Sequence, residues 1–198
     1  MDGLVKLLQQ LGFLLRITHT HGIIRRYFVV NGFDGALTML GLILGFLLGV
    51  PAELPVIISA CMGVAIALGI SGVSSAYISE AAERRRDLTR LEEAMVADLQ
   101  DSTHASAVRW VPILIALVNG AAPLVISLLI ITPLWLTTAG VALPLPPLHA
   151  AIVVALILIF LLGVFLGQIA GISWMRSGIK TLLVALITAL LIYLFVGR

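Results

Sequence analysis

Asp34 is the residue whose setting most invites a chemical role. It lies in Asn31-Gly32-Phe33-Asp34-Gly35-Ala36-Leu37-Thr38, within an apolar run from roughly Phe28 to Val50. If that run crosses a bilayer, the carboxylate costs roughly 3 kcal/mol even on lenient insertion scales. A cation, a proton, a basic partner or water must then compensate it. One reading is cation binding, with Thr38 one turn later on the same helix face. The other puts Asp34 near the headgroups, where it caps the helix or pairs with Arg25 or Arg26. Asn119, in Val118-Asn119-Gly120, offers either a neutral oxygen to an ion path or an interhelical hydrogen bond.

A second group of chemical side chains lies further along. Twelve of the 22 charged residues fall between Glu80 and Arg109. Glu80, Glu83 and Asp87 share one face of a helix, and Glu92, Glu93, Asp98, Asp101 and His104 follow. Carboxylates with a histidine suit a hard or borderline divalent cation. The same spacing also suits a solvated face with intrahelical ion pairs: Glu80 with Arg84, Glu83 with Arg86, Asp87 with Arg90. Leu88, Leu91, Met95 and Leu99 supply an apolar stripe, so Glu80 to Arg109 reads as one or two helices. His19 and His21 form an H-x-H pair with no further ligand nearby. Cys61, Met62 and Met39 are soft ligands in principle, but sit in apolar runs as core residues do. Ser71, Ser74, Ser75 and Ser79, with Gly69 and Gly72, permit tight packing. Gln168 reads as structural.

The elements that must position these groups are membrane spans. Apolar residues are 61% of the 198 positions and charged residues 11%, against about 45–50% and about 25% in soluble domains. A span needs about 20 mostly apolar residues. Five segments qualify: about 28–50, 55–78, 111–131, 148–172 and 179–196. Pro51, Pro55, Pro133, Pro144, Pro146 and Pro147 punctuate the turns. Gly35, Gly41 and Gly45 allow close helix approach in the first span. Eleven of the twelve Lys and Arg fall on one side of this arrangement, Arg198 being the exception. That bias predicts a cytoplasmic N-terminus, an outer C-terminus and a charged cytoplasmic segment between spans two and three. Leu4, Leu7, Leu8, Leu11, Leu14 and Leu15 alternate with Lys6, Gln9, Gln10 and Arg16, predicting an amphipathic interfacial helix over residues 1–26. The expected organisation is thus 1–26, spans over 27–79, the charged segment 80–109, and spans over 110–198.

The single cysteine excludes an intrachain disulfide framework and a cysteine-based zinc site. A net charge of +2, with basic residues not clustered with aromatics, gives no nucleic-acid signature. A weak duplication is visible as well. Val30-Asn31-Gly32 recurs as Val118-Asn119-Gly120, and Gly69-Ile70-Ser71 as Gly171-Ile172-Ser173, so the first two hairpins read as parallel repeats of one unit, with the fifth helix added.

Together these features resemble the vacuolar iron transporter family. Asp34-Gly35-x-x-Thr38 followed by Gly41 and Gly45 is similar to that family's first-span motif. Tyr77-Ile78-Ser79 followed by Glu80 and Glu83 is similar to the end of its second span. The family commonly carries a methionine and a glutamate just before that segment, and Gly72 and Ala76 occupy those positions here. The resemblance covers most of the chain from about Arg25 onward. It implies a homodimer that exports Fe(II), with Mn(II) as a second ion, from the cytosol in exchange for protons, the ion path running between subunits. It implies a small prokaryotic cell-membrane protein with a short loop, whose divalent ion is substrate, with no cofactor required. Asp34 then matches the family's first-span aspartate, and Glu80 and Glu83 the start of its metal-binding loop. The residues themselves add Thr38 and Asn119 as path candidates and Asp87 to the metal-collecting face, with Glu92, Glu93 and His104 as weaker metal candidates.

The rival expectation is a non-transporting membrane scaffold or partner subunit with the same fold. An enzyme acting on lipid is disfavoured, because no second intramembrane carboxylate, histidine or lysine accompanies Asp34 as an acid–base partner.

Overall fold

The computed structural model describes residues 20–96 and 103–197, with the backbone alone at 20, 21, 23, 103–105 and 107. The amphipathic stretch Leu4–Leu15, His19, Asp98, Leu99 and Asp101, and the side chains of His21 and His104, lie outside that description. The described residues form five α-helices and no strand: α1 (Thr20–Leu48), α2 (Leu54–Met95), α3 (Thr103–Thr138), α4 (Pro147–Ile169) and α5 (Trp174–Val196). All five are long and apolar enough to cross a membrane.

The helix ends follow from local chemistry. Gly49 and Pro51 stop α1. Pro55 then enters the first turn of α2, where its missing N–H is harmless, and the Glu53 carbonyl accepts from Val56 and Ile57 at 3.0 and 3.2 Å. Two helices end on left-handed glycines. Gly140 (φ 84°) follows α3 and Gly171 (φ 66°) follows α4. Val141 then donates to Leu136 O at 2.9 Å and Ile172 to Gly167 O at 3.0 Å, the six-to-one bond of a Schellman cap.

Two differences from the sequence expectation have physical causes. Pro133 does not mark a turn. It lies inside α3, as do Pro112 and Pro123. An apolar helix retains proline when neighbouring helices and hydroxyl side chains occupy the loosened backbone. Pro133 is buried, and its carbonyl accepts from Thr137 Oγ1 at 2.9 Å. The second difference is that the charged stretch from Glu80 to Met95 is no separate loop element but the continuation of α2. No glycine or proline interrupts it after Gly72, and its Ala, Glu, Arg and Leu residues are good helix formers.

The chain divides into two compact units. One comprises the described part of Met1–Phe28 with Ile70–Ala121, and the other Val29–Gly69 with Ala122–Arg198. The second unit holds the larger core. Ala36, Met39, Leu40 and Ile43 of α1 meet Ile57, Cys61 and Ala65 of α2, Ile126, Ile130, Ile131 and Leu134 of α3, and Ala151, Ala155, Ile159 and Leu162 of α4, with Ala185 from α5. Each set repeats at three or four residues, one stripe per helix. Met39 and Cys61 are fully buried here, as core residues. Of the three first-span glycines, Gly35 makes the close approach. A Cβ there would sit 2.7 Å from Pro123 Cα, whereas one at Gly45 would meet nothing within 4 Å. The first unit has a smaller core of Val111 and Ile115 with Ile24 and Tyr27 packed on it. Outward faces stay apolar: Ile157, Leu161, Leu186, Ile187 and Leu190 are all about half exposed or more, which a lipid solvent accommodates and water does not.

Candidate functional site

In the second unit, α1 presents Asn31, Asp34 and Thr38 along one side, at spacings of three and four residues. Asp34 is exposed, and Asn31 and Thr38 are half-buried. Composition gives a residue's depth along a helix, but not the direction it faces, and the Gly35–Ala36 edge of α1 is the one turned to the core. The result is an unburied carboxylate ten residues into an apolar helix whose candidate span begins at Ile24.

Among the described residues the buried carboxylate is Glu80, in the first unit, at 6% exposure. The Tyr27 hydroxyl of α1 donates to its Oε1 at 3.3 Å. Arg84 Nε lies 3.7 Å from its Oε2, one turn further along α2. The Arg26 guanidinium stands 5.8 Å from the centre of the Tyr27 ring, within cation–π range. Glu80 therefore sits between one neutral donor and one cation, and the Tyr27 that reaches it packs on Val111 and Ile115. Sequence spacing signalled the Glu80–Arg84 pair but not the Tyr27 contact, which joins residues 53 apart.

The remaining carboxylates do not join Glu80. Glu83, Asp87 and Glu93 are exposed and Glu92 is half-buried. Among the described residues, no three His, Cys, Asp or Glu side chains come together to hold a metal ion. Of the three expected ion pairs, Glu80–Arg84 forms. Long side chains on a solvated helix gain little from pairing, so Arg86 and Arg90 standing off Glu83 and Asp87 costs almost nothing.

Asn119 is buried at 4% exposure. Its Nδ2 donates to the carbonyl of Gly72 at 2.7 Å, the interhelical bond that was one of its two readings. The helices touch at this point: a Cβ on Gly72 would lie 3.0 Å from both Asn119 O and Gly120 Cα. Pro123, four residues on, has no N–H to offer the Asn119 carbonyl. Gly72 and Ala76 are where the resembled family has its methionine and glutamate. Gly72 is pressed on backbone and Ala76 is 3% exposed. At Gly72 the space a longer side chain would need is filled by α3, and Ala76 is buried.

No family model matches the chain, and no solved structure matches it. An uncharacterized protein of the archaeon Methanocaldococcus jannaschii is 31% identical over 173 residues, which cover 85% of this chain and 86% of that one.

Proposed function

We propose that this chain, which belongs to the same family as the Methanocaldococcus jannaschii protein, is a membrane transporter that moves divalent metal ions out of the cytosol in exchange for protons. Fe(II) is the first candidate substrate and Mn(II) the second. The observation that carries this reading is the exposed Asp34 within an apolar helix. A carboxylate there cannot face lipid without a cost of roughly 3 kcal/mol, whereas a water-lined path, a bound cation or a proton removes that cost. Thr38 adds a neutral oxygen one turn away, and hard divalent ions take oxygen ligands. The chain's single-sided Lys and Arg distribution supports a cytoplasmic N-terminus and charged arm. The exposed Glu83 and Asp87 would collect ions at that mouth, with Glu92, Glu93 and His104 beyond them, while Glu80 stays held by Tyr27 and Arg84. Each copy alone has few ligands, so the path is completed by a second copy in a homodimer. These features match the resemblance to the vacuolar iron transporters.

A second reading is a non-transporting scaffold or partner subunit of the same fold. It is favoured by one observation: α3 backbone fills the space at Gly72 and Ala76 is buried, so two ligands of the resembled family have no counterpart.

Flux of Fe(II) or Mn(II) into proteoliposomes, read with a metal-quenched dye under an imposed pH gradient, separates the two. Transport predicts flux in the wild type and none with Asp34→Asn at equal reconstitution. Absence of metal flux in the wild type, with a protein partner recovered in mild detergent, favours the scaffold. Equal flux from both forms removes Asp34 from the mechanism.

A further inference from the structure

Past its apolar stretch, α2 carries four arginines in seven residues: Arg84, Arg85, Arg86 and Arg90. Arg84 is engaged with Glu80. Arg85 and Arg86, with Ala81, Ala82 and Thr89, instead line a shallow, wide-open groove. At 100° per residue these five positions occupy one side of the helix, while Glu80, Glu83 and Asp87 fall on the opposite side. As far as Arg90 the carboxylates therefore lie opposite the groove, and only past Thr89 do Glu92 and Glu93 return to its side. Among the described residues no carboxylate pairs with Arg85 or Arg86. The Thr89 hydroxyl donates to the Arg85 carbonyl at 3.2 Å, leaving its lone pairs, not its proton, toward the groove.

The groove is continuous with the outer surface of the span. Ile70, Ser74, Ile78, Ala82 and Arg86 follow one another at four-residue spacing, and all five are exposed, Ile70 at 64% and Ile78 at 69%. An exposed apolar ridge thus runs directly into these two guanidiniums over an alanine floor. Helical side chains lean toward the N-terminus of their helix, so both arginines reach back toward Ala81, Ala82 and the apolar ridge. The two guanidiniums lie about 10–12 Å beyond Ile78 along the axis before that reach is counted, which brings them to headgroup depth.

We propose that this groove binds the phosphate of an anionic phospholipid, with Arg85 and Arg86 on the phosphate oxygens, the glycerol region over Ala81 and Ala82, and the acyl chains along Ile78 and Ile70. Guanidinium forks suit phosphate oxygens, and basic clusters just outside a span attract anionic lipid. The inference rests on α2 crossing a membrane and is independent of ion transport.

The test is native mass spectrometry of the full chain in neutral detergent, titrated with phosphatidylglycerol or phosphatidylcholine and without metal. Wild type is expected to retain phosphatidylglycerol preferentially. Arg85→Gln with Arg86→Gln should weaken that retention roughly 30-fold, at about 1 kcal/mol for each basic residue, with phosphatidylcholine unaffected. Ala82→Leu fills the floor without altering charge and should weaken it as well. Equal retention of both lipids by the wild type, or unchanged retention by the double variant, overturns the proposal. So does displacement of the lipid by millimolar inorganic phosphate, which would assign the groove to a soluble anion. A chain that stays monodisperse without detergent would refute the membrane reading itself, a separate outcome.

Discussion

The side-chain amide of Asn119 holds the carbonyl of Gly72 at 2.7 Å, at the point where the backbone of α3 leaves no room for a side chain on Gly72. Gly72→Met would restore the residue the resembled family carries, but its Cβ would start 3.0 Å from backbone that has no freedom to rotate away. Overpacking of this kind costs about 1–3 kcal/mol. A lowered melting temperature in detergent is expected, with no gain in metal affinity by calorimetry. Asn119→Leu should cost about 1 kcal/mol, the usual range for one interhelical bond in membrane proteins.

Tyr27 and Glu80 form the second pairing open to measurement. Tyr27→Phe removes a donor from a buried carboxylate, a loss of about 1–3 kcal/mol. Glu80→Gln should be milder, because the amide oxygen still accepts from Tyr27 and no charge remains to be desolvated. A double-mutant cycle read by chemical denaturation in detergent should return a coupling of about 1 kcal/mol. Additive effects would mean that the 3.3 Å contact carries no energy.

Asp34→Asn separates stability from ligand binding. With Asp34 exposed, the substitution should change the melting midpoint by no more than about 0.5 kcal/mol in equivalent free energy. Metal linkage should change sharply. Mn(II) at about 100 times its dissociation constant stabilises a one-site protein by about 2.7 kcal/mol, and this rise should appear in the wild type and vanish in the variant. An equal rise in both would place the bound ion elsewhere.

Gly35 and Gly45 make a contrasting pair on the same helix. Gly35→Leu forces α1 away from Pro123, whose Cα lies 2.7 Å from the introduced Cβ, whereas Gly45→Leu adds a side chain to open space. The first should lose about 1–3 kcal/mol or more, and the second should stay within about 0.5 kcal/mol. Thermal unfolding of the two variants side by side reads the difference.

The five spans were legible because a run of some twenty apolar residues has few other fates. The continuity of α2 was not, since charge after a span looks like a loop until one notes that nothing from Val73 to Met95 breaks a helix. Pro133 misled for the opposite reason: proline signals a turn in water, but inside α3 it is held by Thr137 and the surrounding helices. The candidate site divides similarly. Asp34, Thr38 and Asn119 could be singled out by type and position. That Asp34 faces outward while Glu80 faces inward depends on which edge of each helix meets its neighbours, information spread over Gly35, Pro123, Val111 and Ile115 rather than carried by the carboxylates themselves. Tyr27 offered no signal at all, because its partner lies on another helix.

The unbroken course of α2 through its last charged turn has a further consequence, one of phase. With no swivel between Gly72 and Met95, the azimuth of every arm residue is tied to that of the segment before it. Removing a single residue between Gly72 and Glu80 would turn the whole arm by about 100°. Glu80 would leave Tyr27, and the side that carries it and the groove side would swing together by little more than a quarter-turn. Within this stretch length is an angular coordinate, so insertions and deletions act as rotations, and the two faces of the arm can only be re-aimed as one.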